Sequence, residues 1–270
     1  MDLSVLGGLA VYEGGAPISP SAAPTRQVLA LLAAFADQVV PTCAVAEELW
    51  PHGAPPHSEH VLESHVRQLR AVIGAALRAE GGERSAEDVL AWVPGGYRLD
   101  TAGGSSDAGA FERTAGAGYR AMEAGDLDLA SRRLREALDL WTGAPFMGVT
   151  QGPHLRAQAA LLACSWQRAV DRWIDADLRL GRWRELSTGL AQVLTRFRSP
   201  APLYAQLKAD LDHRGQDLEV IKRYLRQRRS LSARMPHRVV VGREGARAAI
   251  GSDRPLGLAA AHGTSLLQAI

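Results

Sequence analysis

Residues 58–78, SEHVLESHVRQLRAVIGAALR, constrain this chain more than any other stretch. Leu62, Val66, Leu69, Ile73 and Leu77 recur at steps of 4, 3, 4 and 4, the period of a helix with one buried face. The opposite side carries His60, Ser64, Arg67, Gln68, Ala71 and Arg78, with Arg70 on its flank. Two readings fit that outer face. One is solvated surface, the norm for charged helix faces. The other is a surface laid against nucleic acid: Arg forks onto guanine edges or phosphates, Ser and Gln exchange hydrogen bonds, and Ala permits close approach. The neighbouring segments decide between them.

Upstream, Leu3, Val5, Leu9 and Val11 alternate around Gly7-Gly8, which predicts a short strand or hairpin with a second brief strand near Ile18. TRQVLALLAAFA (25–36) reads as a first helix with Thr25 or Ser21 near its start, and residues 37–41 as a tight connection. Thr42 is placed to cap a second helix, CAVAEELW, that stops at Pro51. Gly53-Ala54-Pro55-Pro56 is a loop, after which Ser58 is placed to cap the long helix. Downstream, Gly81-Gly82 ends that helix, VLAWV (89–93) is a strand, and Pro94-Gly95-Gly96 turns it back into Tyr97-Arg98-Leu99. Strands, three helices and a glycine-tipped hairpin make a winged helix-turn-helix, whose third helix enters the major groove while the hairpin lies along the backbone or minor groove.

In that frame Arg67 and Arg70 are the foremost DNA-contact candidates, joined by His60, Ser64, Gln68 and Arg78 on the same helix and by Arg98 beside the hairpin turn. Trp50 has two readings, core packing or an indole N–H reaching a phosphate. Thr42 adds a phosphate contact to its capping role. His52, His57, His60 and His65 are dense, but no Cys or paired carboxylate completes a tetrahedral set, so no metal is expected.

The segments ALLAAFADQVVP, EELWPHGAPP, HVRQLRAVIG and WVPGGYRLD resemble the OmpR-type winged helix, and more narrowly its form in Streptomyces antibiotic regulatory proteins, pathway-specific activators of secondary-metabolite gene clusters. DAGAFERTAGAGYRAM, REALDLWTGAPF and DADLRLGRWREL resemble the bacterial transcriptional activator domain that follows it in that family. The resemblance implies an activator that binds direct repeats in double-stranded DNA as paired protomers or a homodimer. It also implies recruitment of RNA polymerase holoenzyme through a sigma factor or the alpha C-terminal domain, with the loop Pro51–Pro56 as a candidate polymerase contact. The segment SLSARMPHRVVVGREGARAAIG and the Ala/Gly-rich tail depart from the family pattern.

The expected architecture is mostly α: a winged helix over 1–101, a tetratricopeptide-like helical domain over 107–250 and a tail over 251–270. Thr101–Ser106 reads as a Gly/Ser-rich linker. Three segments share a pattern around Gly125, Gly181 and Gly215, with Ala130, Leu186 or Val220 five residues on and Leu134, Leu190 or Tyr224 nine on. The last two glycines are 34 residues apart, the tetratricopeptide period, and the longer first interval calls for an additional helix near 153–180.

Charge is unevenly spread. Residues 1–100 hold 12 acids and 6 bases, and five of those bases are Arg67, Arg70, Arg78, Arg84 and Arg98. Lys222, Arg223, Arg226, Arg228, Arg229, Arg234 and Arg238 make the most basic run, read as a solvated face or a second contact with DNA or polymerase. Cys43 and Cys164 form neither a disulfide framework nor a metal motif, and nothing approaches a membrane span, so a soluble cytoplasmic protein is expected. No phosphate-binding Gly loop, nucleophile elbow or HExxH occurs, and no enzyme or cofactor is expected. Two alternatives stay open: a ligand-sensing regulator with a small molecule in the helical-repeat groove, and an interaction adaptor without DNA binding.

Overall fold

A computed structural model describes residues 1–81, 84–196, 202–214 and 223–224. Strands β1 (Asp2–Ser4), β2 (Ala10–Glu13) and β3 (Ala16–Pro17) form an antiparallel sheet in that order. Helices α1 (Ala23–Ala34), α2 (Thr42–Leu49) and α3 (Ser58–Glu80) follow, with β4 (Val39–Pro41) between the first two. A one-turn helix α4 (Ala86–Val89) leads into the hairpin of β5 (Leu90–Val93) and β6 (Gly96–Leu99). Strand β6 lies between β4 and β5, pairing antiparallel with both. This is the winged-helix arrangement. The segment 37–41 is not a mere connection, because Val39, Val40 and Pro41 pair with Arg98, Tyr97 and Gly96 and supply the third strand of the wing sheet.

The stripe on α3 behaves as its period requires: Leu62, Val66, Leu69, Ile73 and Leu77 are all buried, packed with Val28, Leu31 and Leu32 of α1. The capping expectations fail. Helix α1 starts after Ala22 with no side-chain cap, and Thr25 is buried within it. Helix α2 is preceded by Pro41, and the Thr42 hydroxyl points to the Gly95 carbonyl instead. Helix α3 is entered through His57 in the left-handed region (φ 62°), so Ser58 is its first residue rather than its cap. The short α4 has a full capping box between Ser85 and Asp88, which holds the chain in the turn before β5.

The helical part comprises α5 (Asp107–Glu123), α6 (Leu127–Asp139), α7 (Pro153–Arg179), α8 (Trp183–Arg196) and α9 (Pro202–Arg214), each packing on the next from α5 to α9. Gly125 and Gly181 both have left-handed φ and stand where α5 and α7 end, as the repeat pattern requires. Ala130, Leu134, Leu186 and Leu190 are fully buried, and Tyr224 nearly so. Gly215, Val220 and all the basic run except Arg223 lie outside the described residues; Arg223 is half-buried and paired with Asp210.

Met1–Tyr224 form one compact unit, in which the winged helix packs directly against the helical part through α1, α2 and α7. The Gly/Ser-rich segment is fixed along its length. Thr101 bonds the Asp37 carboxylate through its N–H and hydroxyl, Leu3 N–H donates to the Ser105 carbonyl, and the Ser105 hydroxyl donates to Asp2. Asp107, at the start of α5, accepts the N–H groups of Val5 and Leu6. Glu48 of α2, 1 % exposed, accepts the N–H groups of Gly152, His154 and Leu155 and so caps the N-terminus of α7. Phe146 and Leu155 complete the same apolar core as the winged-helix residues.

Candidate nucleic-acid interface

Burying one stripe of α3 leaves its opposite side to solvent. His60, Arg67, Gln68, Ala71 and Arg78 are exposed and Ser64 is half-buried. Neither Arg67 nor Arg78 makes a hydrogen bond or ion pair among the described residues. They stand 11 residues apart, which is three turns, so both project from one face about 16 Å apart along the axis. An open groove of about 620 Å³ runs beside them between α3 and α4, and Arg70, Arg84 and Ser85 also line it. Four guanidinium groups around one groove make a local positive field in an otherwise acidic half-chain.

Arg70, Arg84 and Arg98 also make contacts within the protein. Arg70 points Nε and Nη2 at the Leu90 carbonyl, at 3.1 and 2.9 Å, and thereby ties α3 to the first residue of the wing. Arg84 lies 3.5 Å from Glu13 and 3.4 Å from Asp100. Arg98 sits on β6 opposite Val39 and Ala91, with Asp100 at 3.6 Å. Arg70 therefore braces α3 against β5, and Arg98 keeps a half-exposed cation beside the wing.

Gln68 is anchored on one side. The buried Thr25 hydroxyl donates to its Oε1 at 2.8 Å and lies 2.9 Å from His65 Nδ1. A hydroxyl has one proton, so with that proton on Gln68 the His65 ring must donate through Nδ1. Burial pushes His65 below its ordinary pKa, which favours the neutral ring. Gln68 as a whole stays exposed. His60 is 80 % exposed, stacks on His57 with ring centres 6.4 Å apart and lies 3.9 Å from Glu63. Among the described residues no group of His, Cys, Asp and Glu is arranged to hold a metal ion.

Thr42 is half-buried and bonds the wing: its backbone N–H donates to the Gly95 carbonyl at 3.1 Å. Trp50 is half-buried against the core, as the packing reading expects, and its other face lines a shallow depression with Cys43, Ala46, Glu47, Pro51 and Pro153. The hairpin closes through Gly95 at φ 91°, a conformation that favours glycine, and a side chain on Gly96 would strike the Val40 carbonyl.

One exposed group escaped the sequence reasoning. Trp92 is 57 % exposed on β5 and meets Tyr97 edge-on at 4.9 Å. Burial is the main cause of the raised pKa of Tyr97, with Glu63 adding to it and Arg70 opposing it. The signal lay in the alternation of LAWV, which sets Trp92 opposite Tyr97 across the PGG turn.

Among known proteins, the bacterial transcriptional activator domain profile matches residues 106–237. The chain is 36 % identical over 245 residues to the regulatory protein DnrI of Streptomyces peucetius, covering 88 % of this chain and 90 % of DnrI. It is 28 % identical to the transcriptional regulatory protein EmbR of Mycobacterium tuberculosis over 207 residues, covering 52 % of EmbR. It is 26 % identical to the regulatory protein AfsR of Streptomyces coelicolor over 230 residues, covering 22 % of AfsR. The solved structure of Mycobacterium tuberculosis EmbR in complex with a low-affinity phosphopeptide shares the fold, with a TM-score of 0.64 and 24 % identity over 84 % of this chain and 65 % of that one. No helix among the described residues is long and apolar enough to cross a membrane. With the winged helix in front, the activator-domain profile on the helices behind it, and a relative matched over most of both lengths, the chain belongs to the Streptomyces antibiotic regulatory protein family of transcriptional regulators.

Proposed function

We propose that this regulator is a sequence-specific DNA-binding activator of a secondary-metabolite gene cluster, acting on direct repeats near promoters as paired protomers. The observation that carries the reading is the pair Arg67 and Arg78, exposed on the outer face of α3 and without partners among the described residues. Arg67, one turn from Ser64, is the base-reading member, and Arg78 and the wing Arg98 take backbone phosphates. His60, Ser64 and the exposed Gln68 complete the outer face. Arg70, Thr42 and Trp50 act behind it: the first two lock α3 and α2 to the wing, and the third packs the end of α2.

Recruitment of RNA polymerase, through a sigma factor or the alpha C-terminal domain, falls to the loop Pro51–Pro56 and the helical repeats. A protein held on DNA beside the promoter raises the effective concentration of polymerase without catalysis.

The test is a mobility-shift titration of the upstream region of the chain's own gene neighbourhood at several salt concentrations. Arg67→Ala should cost about 1–3 kcal/mol and relax discrimination at one base position, whereas Arg78→Ala should weaken all duplexes alike and lower the salt slope by about one unit. Unchanged binding and salt slope in both variants would show that this face of α3 is not the interface.

A further inference from the structure

Away from the winged helix, α5 and α7 bring together two guanidinium groups and a phenol hydroxyl, with no carboxylate bonded to any of them among the described residues. Arg168 and Arg172 are exposed on α7 at a spacing of four, so their guanidinium groups leave the same side of the helix. The Arg168 guanidinium lies over the ring of Tyr119 from α5, 4.8 Å from its centre. The Tyr119 ring is half-buried, and its hydroxyl has no hydrogen-bond partner among the described residues. Both guanidinium groups lie near enough to that phenol to oppose the rise in its pKa that burial causes.

The arrangement runs against stability. Like charges at i and i+4 repel by a few tenths of a kcal/mol on a helix. Some arginines of the helical part, Arg133, Arg135 and Arg182 among them, hold a carboxylate, from Glu136, Asp177 and Asp128. No carboxylate answers Arg168 or Arg172 among the described residues. Stacking on Tyr119 fixes one guanidinium plane and leaves its N–H edge free, so less entropy is lost when an anion docks. Two forked cations and a phenol O–H on one patch suit an anion with several acceptor oxygens in three dimensions, which is a phosphate group rather than a planar carboxylate.

We propose that Tyr119, Arg168 and Arg172 form a binding site for the phosphate group of a small phosphorylated ligand on the helical domain. The site is independent of the DNA-binding reading and gives the regulator an input of its own. Bound ligand stabilises the folded domain, and by linkage it alters DNA affinity only as far as DNA alters affinity for the ligand.

The test is calorimetric titration of the full chain with inorganic phosphate and with pyrophosphate at fixed ionic strength, with acetate as the planar-anion control. Saturable binding of pyrophosphate is expected, tighter than that of phosphate and absent for acetate. Arg168→Ala with Arg172→Ala should abolish it, Tyr119→Phe should weaken it roughly 5- to 10-fold while keeping the stacking platform, and Arg67→Ala should leave it unchanged. Circular dichroism verifies that each variant is folded, and Arg168→Gln substitutes for any that is not. No saturable binding to the wild-type chain, or equal binding by the double variant, overturns the proposal. Binding seen only with a long duplex and lost in the double variant also overturns it, since the patch would then hold DNA backbone. A failure here leaves the Arg67 result untouched, and the converse also holds.

Discussion

Removing the Glu48 carboxylate should loosen the whole molecule, although the residue lies far from α3's outer face. Its side chain accepts N–H bonds from Gly152, His154 and Leu155, and Gln27 donates to its backbone carbonyl and to the carboxylate, at 2.7 and 3.3 Å. Each bond to an ionised acceptor contributes about 1.5–3 kcal/mol, and each buried donor left alone costs about 1–3 kcal/mol. Water entering the gap in Glu48→Ala offsets part of this, leaving a loss of about 3–5 kcal/mol. For a unit of this size that lowers the melting temperature by roughly 6–20 °C. Glu48→Gln keeps one acceptor oxygen but turns an NH₂ toward the other donors, so it should lose about half as much. The assay is denaturant unfolding followed by circular dichroism, with hydrogen exchange read at residues 152–156. A Glu48→Ala variant within 0.5 kcal/mol of wild type, or with unchanged protection there, would refute the reasoning.

Further outcomes follow from other contacts. Arg70→Ala should cost about 1–3 kcal/mol of stability by orphaning the Leu90 carbonyl, whereas Arg67→Ala should leave the unfolding midpoint in place; denaturation curves of both separate the internal brace from the exposed arginine. Gly96→Ala should distort the wing, because the added carbon would lie 2.1 Å from the Val40 carbonyl oxygen, and a loss of tryptophan fluorescence shift at Trp92 on adding DNA would report it. For His65 the folded pKa is held below 6.5 by burial, so the unfolded chain binds a proton that the native chain refuses. Its stabilising contribution is therefore complete above about 6.5 and is lost as the pH falls from there toward the lowered value. Thermal melts at several pH values should show this slope in the wild type and a shallower one in His65→Gln.

What the sequence revealed and what it hid divide along sequence separation. The α3 stripe, the glycine stops at Gly125 and Gly181 and the PGG hairpin are local patterns, and each lies where its period or φ requirement puts it. Strand β4 was hidden because three residues carry no alternation of their own and are defined by pairing with β6, nearly 60 positions on. Arg70 differs from Arg67 only by its angle around α3, and nothing local says that the Leu90 carbonyl lies within reach of one and not the other. The caps misled for a related reason: Thr42 and Ser58 have the right chemistry at the right boundary, but the chain enters both helices through backbone geometry set by the wing and by His57. Glu48 and Asp107 look like ordinary surface acids in the sequence, and only the folded chain shows that each gathers backbone N–H groups from more than 100 positions away.

Those two carboxylates also bear on how such regulators are assembled in evolution. The chain corresponds to 90 % of DnrI, 52 % of EmbR and 22 % of AfsR, so relatives carry very different amounts of additional protein around the same stretch. A cut after residue 101 would strip Asp107 from the N–H groups of Val5 and Leu6, leave Glu48 without its helix, and expose the core surface that Phe146 and Leu155 cover. The smallest piece that can be inherited or grafted intact is thus the winged helix together with its helical partner, not the winged helix by itself.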